Sequence, residues 1–140
     1  MIVVDTNVIS ELMRPVPAPQ VWRWVHMQPN ATTFTTSVCE AELLLGVALM
    51  ADGRRKLGMQ AVVAAIMASI FADRVLPFDR PAAAAYAEIA SARRRIGRPV
   101  LDSDLQIAAI ARARGASLIA TRNLRDFAGC GVAMVDPWGS

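Results

Sequence analysis

A chain of 140 residues that is 54% hydrophobic is long enough to bury one core and too apolar to read as a disordered segment. Its longest apolar run, residues 61–72, is broken only by Ser69 and falls well short of the roughly 20 residues that span a bilayer. The net charge of +3 comes from fourteen arginines and one lysine; arginine matches phosphate geometry, which suits a nucleic-acid partner, although a GC-rich genome would also enrich it.

The chain opens on Met1-Ile2-Val3-Val4-Asp5-Thr6-Asn7. An unbroken apolar run reads as a strand buried on both faces, as in a parallel sheet, and puts Asp5 at its carboxyl end. Open α/β sheets place their ligands there, and Asp is also a good cap for the helix suggested by Val8, Ile9, Leu12 and Met13. Both roles can hold together. Acidic residues at 5 and 11 leave no room for a leader in this stretch, so a soluble cytoplasmic protein is expected.

Pro15-Val16-Pro17-Ala18-Pro19 forbids regular helix and makes a stiff connector. A short helical stretch with Val21, Trp22, Trp24 and Val25 follows; tryptophans two apart cannot share one helix face. Residues 32–36 form a second strand. Ser37-Val38-Cys39-Glu40 has the form of a capping box, which gives Glu40 a structural task. Glu42 has none of that kind; early in an apolar helix it marks either a solvated face or a charge with a function. Residues 57–71 form a long apolar helix, 74–78 a third strand, and Asp79-Arg80-Pro81 a helix start.

The helix over 81–96 carries Tyr86 and Ile89 inward and ends in Arg93-Arg94-Arg95, a basic last turn that complements the helix dipole or binds phosphate. Gly97-Arg98-Pro99 stops it. Residues 101–111 form a helix buried on most of its circumference, with Asp102 suited to the cap and Asp104 in the first turn. A fourth strand at 117–120 runs into Thr121-Arg122-Asn123-Leu124-Arg125-Asp126-Phe127. A last strand at 132–135 leads to Asp136-Pro137-Trp138. Strands alternating with helices argue for an α/β fold, a single domain over 1–140 with a mainly parallel sheet of four to five strands between helices.

Cys39 and Cys130 have no metal spacing and read as reduced thiols; the single His26 reads as a packing or surface residue. Asp5, Glu42 and Asp104 come from three distant segments, each at or near the carboxyl edge of the inferred sheet. Crowded carboxylates call for a cation, and oxygen ligands without His or Cys favour Mg²⁺ or Mn²⁺. Such an ion supports in-line hydrolysis of a phosphodiester.

These residues carry a resemblance. Asp5-Thr6-Asn7-Val8-Ile9-Ser10-Glu11, Ala41-Glu42-Leu43-Leu44-Leu45-Gly46, Asp104-Leu105-Gln106-Ile107-Ala108-Ala109, Thr121-Arg122-Asn123 and Asp136-Pro137-Trp138 follow one another as in PIN-domain ribonucleases. More narrowly, the chain resembles the VapC-type toxins of toxin–antitoxin pairs. The resemblance implies an α/β/α sandwich and a Mg²⁺- or Mn²⁺-dependent endoribonuclease neutralised by a VapB-like antitoxin. It makes Asp5, Glu42 and Asp104 catalytic metal ligands, in preference to Glu40 and Asp102. Asn7 and Thr121 would orient carboxylates, and Arg122 would hold the RNA backbone. Many members have a fourth acid where this chain has Asn123; Asn123 is favoured in the site, with Asp126 the alternative. The resemblance also implies a homodimer, for which Trp22, Trp24 and residues 59–67 are contact candidates.

Two rivals remain. A haloacid-dehalogenase-like phosphatase needs a second Asp two residues after the first, where this chain has Asn7. A non-catalytic PIN-like module that binds RNA or protein would not need the intact Asp5, Glu42 and Asp104 set.

Overall fold

The apolar opening run becomes the middle strand of the sheet. In the computed structural model, which describes residues 1–139, β1 (Ile2–Val4) pairs in parallel with β2 (Thr33–Thr36) on one side and β4 (Leu118–Ala120) on the other. β3 (Val75–Leu76) extends the sheet beyond β2, and β5 (Met134–Val135) extends it beyond β4. The order β3-β2-β1-β4-β5 is parallel throughout, so every connection is a crossover. A central strand has neighbours on both edges and helices on both faces, which is why residues 1–4 needed no polar alternation. Val3 and Val4 are fully buried, as are Val8 and Ile9 on the next helix; each contributes about 1.5–3 kcal/mol by burial.

The crossovers are helical: α1 (Thr6–Leu12), α2 (Pro19–Met27), α3 (Ser37–Ala48), α4 (Arg54–Ile66), α5 (Arg80–Arg95), α6 (Asp102–Ala113) and the short α7 (Leu124–Phe127). The α/β fold expected from the sequence is the one observed. α6 is buried over most of its surface, from Leu105 through Ala111, against α5 and α3. Among the described residues no helix is long and apolar enough to cross a membrane.

Several local expectations need correction. The cap of α3 is Thr36, whose Oγ1 accepts the Cys39 amide at 3.0 Å; Ser37 is already helical. With the cap one residue earlier, Glu40 falls outside the reciprocal position of a capping box. Asp102 does not cap α6 either: Leu101 holds that place without a side-chain bond, and Asp102 accepts the Tyr86 hydroxyl at 2.8 Å. Asp79 does cap α5, accepting the Ala82 amide. The third and fifth strands are two residues each, shorter than the apolar runs around them. The helix expected at 57–71 starts at Arg54 and ends in a π-helical turn over Met67–Phe71. Trp22 and Trp24 diverge as their spacing requires: Trp22 is 49% exposed and stacked on His26, and Trp24 is half-buried against the core.

Candidate active site

From the pair β1 and β4 the chain runs outward in opposite directions, which opens a crevice at the carboxyl ends of these two strands. Asp5 follows β1 and Thr121 follows β4, so both stand at that crevice. Asp5 is 2% exposed; it caps α1 and lines the crevice. Its Oδ1 accepts the Thr6 amide at 2.7 Å as the cap of α1. Its Oδ2 accepts the Thr121 hydroxyl at 2.8 Å and the Asn7 side-chain amide at 3.2 Å. Asn7 in turn accepts the Arg122 amide through Oδ1, and Thr121 Oγ1 accepts the Asn123 amide. Three residues from the two strand ends, Thr6, Asn7 and Thr121, thus hold one carboxylate in a single orientation.

The other two carboxylates arrive on helices. Glu42 faces solvent on α3 and is steadied by the Thr6 hydroxyl, which donates to its Oε1 at 2.8 Å. Asp104 lies in the first turn of α6, 9% exposed, and its side chain accepts no hydrogen bond from any described residue. Asp5, Glu42, Asp104, Asn7, Asn123 and Arg122 all line one cavity of about 560 Å³. Thr121 is buried beneath it. Glu40 and Asp102 lie elsewhere: Glu40 lines an apolar groove between α3 and α4, and Asp102 is bound to Tyr86. Asp126 lines an adjoining cavity, although its charge still reaches Asp5 and Asp104.

The electrostatics follow from this crowding. Burial pushes the Asp104 carboxyl up to about 6, with the charges of Asp5, Asp126 and Glu42 adding to the effect. Burial also raises Asp5, opposed by the donors Thr121 and Thr6. Cys39, buried below Asp5, is raised by burial and by the Asp5 charge and stays a thiol. Among the described residues no three carboxylate, histidine or cysteine side chains stand close enough to make a ready-formed metal cage. The donor set nonetheless suits a hard divalent cation: carboxylate and amide oxygens, one of them a buried carboxylate without a hydrogen-bond donor. The Asp104 carboxylate has no donor among the described residues and opens on the cavity, where a cation would relieve the crowding of like charges.

Sequence reasoning gave no role to Thr6, Ser10, Glu11, Arg14 or Trp138, which also line the cavity. Glu11 is 7% exposed; its Oε2 accepts the Ala18 amide at 3.0 Å and its Oε1 lies 3.5 Å from Arg14. It therefore ties the proline-rich connector to α1. Trp138 carries the Arg122 guanidinium over its ring, 4.7 Å from the centroid. Thr6, Ser10, Glu11 and Trp138 stood within the quoted motifs without a role assigned to them, and Arg14 lay just beyond the first.

The PIN-domain family model matches residues 2–129. The chain belongs to the PIN-domain family. Among its PIN-domain relatives, it is 38% identical to Toxin FitB of Neisseria gonorrhoeae, covering 99% of both chains. It is 36% identical to the VapC ribonuclease Y4jK of Sinorhizobium fredii, covering 99% of this chain and 98% of that one. The crystal structure of FitAcB from Neisseria gonorrhoeae superposes with a TM-score of 0.91 at 37% identity, over the full length of both chains.

Proposed function

We propose that this PIN domain, spanning residues 1–140, is the toxin of a toxin–antitoxin pair, a metal-dependent endoribonuclease that hydrolyses RNA phosphodiester bonds. The observation that carries this reading is the convergence of Asp5, Glu42 and Asp104, from three distant segments, on one cavity. Full-length similarity to a toxin and to a VapC ribonuclease supports it.

Asp5, Glu42 and Asp104 would hold Mg²⁺ or Mn²⁺, with Asn123 as a neutral fourth donor and Asp126 as its alternative. The cation supplies charge neutralisation at the scissile phosphate and a lowered pKa for the attacking water. The chain's own residues prepare that site. Thr121, Asn7 and the Thr6 amide orient Asp5, and the Thr6 hydroxyl orients Glu42. Arg122, flattened against Trp138, presents a guanidinium to an RNA phosphate at the rim.

An unrestrained ribonuclease would destroy its own cell's RNA, so a VapB-like antitoxin is the expected partner. Of the contact candidates Trp22, Trp24 and residues 59–67, the exposed Trp22, 49% accessible, supports a further contact with a second copy of the chain. The deciding experiment is cleavage of total bacterial RNA by the purified protein with Mg²⁺, with EDTA, and with Asp104→Asn. Cutting that needs metal and disappears in a folded variant establishes the reading. Absence of both cutting and metal binding by calorimetry overturns it in favour of a non-catalytic RNA- or protein-binding module.

A further inference from the structure

Next to the acidic cavity lies a second one of opposite character. It measures about 470 Å³ and is lined by Arg93, Arg98 and Arg125 together with Asp126 and the backbone of the loop after α5. None of the three guanidiniums has a carboxylate within 4.0 Å among the described residues. Exposed arginines do this routinely, but Arg93 is only 8% exposed. A buried cation without a counter-ion is costly unless its donors are satisfied.

The donors of Arg93 are only partly satisfied. Nε donates to the Arg98 carbonyl at 2.9 Å and Nη1 to the Ala128 carbonyl at 2.7 Å. These two bonds tie the end of α5 to the Gly97–Pro99 loop and to the end of α7, and they fix the guanidinium in place. Gly97, at φ +68°, makes the turn that brings Arg98 back over Arg93. Nη2 has no hydrogen-bond partner among the described residues and is not sealed from solvent. A positioned cation thus keeps one N–H edge open toward a cavity rimmed by two more arginines. That combination matches an anion with several equatorial oxygens.

The cavity also has an address. Asp126 is on its wall and acts electrostatically on Asp5 and Asp104, and Val100, two residues before α6, is on the same wall. The arginine cavity therefore flanks the acidic one on the α5–α7 side. We infer that Arg93, Arg98 and Arg125 form a backbone subsite that takes a phosphate of the RNA strand beyond the scissile bond. This rests on the reading of the acidic cavity as a ribonuclease site. Asp126, between the two, would repel a phosphate that drifts out of either position, and so helps to set the register of the strand.

The test is fluorescence anisotropy of a labelled single-stranded 12-nucleotide RNA of mixed sequence, titrated with the full chain in EDTA at several NaCl concentrations. Backbone contacts are independent of sequence, so the natural target is not needed. The double variant Arg98→Ala/Arg125→Ala removes two exposed side chains. It is expected to weaken binding roughly tenfold at 0.1 M salt and to lower the salt slope by about 1.4, about 0.7 for each lost phosphate contact. A matched pair, Arg54→Ala/Arg55→Ala on α4 outside both cavities, removes the same charge and is expected to leave the slope near wild type. Wild-type affinity and slope in the Arg98/Arg125 variant, or an equal loss in the Arg54/Arg55 pair, overturns the subsite. Metal-dependent RNA cleavage by wild type alongside either result would leave the ribonuclease reading standing and remove the subsite alone.

Discussion

Thr121 donates its hydroxyl hydrogen to Asp5 Oδ2 at 2.8 Å, joining residues 116 positions apart in sequence across the ends of two neighbouring strands. Thr121 is fully buried, and water cannot replace the bond. Thr121→Val keeps the shape and removes the donor, so the Asp5 carboxyl rises further and loses its orientation. Cleavage is expected to fall about 10- to 100-fold with the fold intact, and Thr121→Ser to recover most of it. Single-turnover rates and circular dichroism of the two variants check this.

Asp104 makes the metal-free protein sensitive to pH. Its folded-state value of about 6 lies above the ordinary 3.8, so the native state binds the proton more tightly than the unfolded chain. That contribution to stability is present below pH 3.8 and is lost as pH rises through about 6. In EDTA, Asp104→Asn should therefore melt at a higher temperature than wild type above pH 6, with the gap closing toward pH 4. The same variant should be inactive. Thermal melts across that range decide it; a variant less stable at pH 7.5 would contradict the burial argument.

Divalent cation should reverse this sensitivity. A ligand that binds only the folded state adds about 2.7 kcal/mol of stability at 100 times its Kd. Mg²⁺ or Mn²⁺ is expected to raise the melting temperature at pH 7.5 and to do so progressively less as pH falls through about 6, where a proton competes for Asp104. EDTA should abolish the rise. Differential scanning fluorimetry at fixed metal over a pH series measures the effect.

Trp138 holds Arg122 by its ring face, 4.7 Å from guanidinium carbon to centroid. Trp138→Ala frees that arginine without touching a carboxylate. KM for RNA should rise about two- to five-fold, the size of a partly exposed cation–π contact, with kcat nearly unchanged. Trp138→Phe should restore it. A fall in kcat at constant KM would instead mean that the tryptophan shapes the acidic site.

Much of the architecture was legible because it rests on local physics. An apolar run with no polar alternation suits a strand covered on both faces, and residues 2–4 became the central strand. Proline-rich and glycine-bounded breaks marked the ends of α1, α5 and their neighbours. Caps were less legible. Thr36 and Ser37 both carry a hydroxyl, and the choice between them depends on where β2 leaves the sheet rather than on residue type. Asp102 failed as a cap for a similar reason: α5 packs on α6 and offers Tyr86 as a better partner.

The sequence by itself determined that acidic residues would stand at the start of several helices, next to strands of a parallel sheet, in the order seen in PIN-domain proteins. Hydrophobic periodicity and chain connectivity carry that information. The motif resemblance named Glu42 and Asp104 over Glu40 and Asp102, but only the tertiary structure gives the physical reason that one member of each pair enters the cavity. Residues two apart on a helix point about 200° apart, so Glu40 and Glu42, or Asp102 and Asp104, cannot both face it. The rotation of α3 and α6 about their own axes makes the choice, and buried Leu43, Val47, Ile107 and Ile110 set that rotation by packing. The same holds for Arg93. In sequence it is one of three adjacent arginines at a helix end, and burial of one face of α5 turns that one inward and leaves its two neighbours in water.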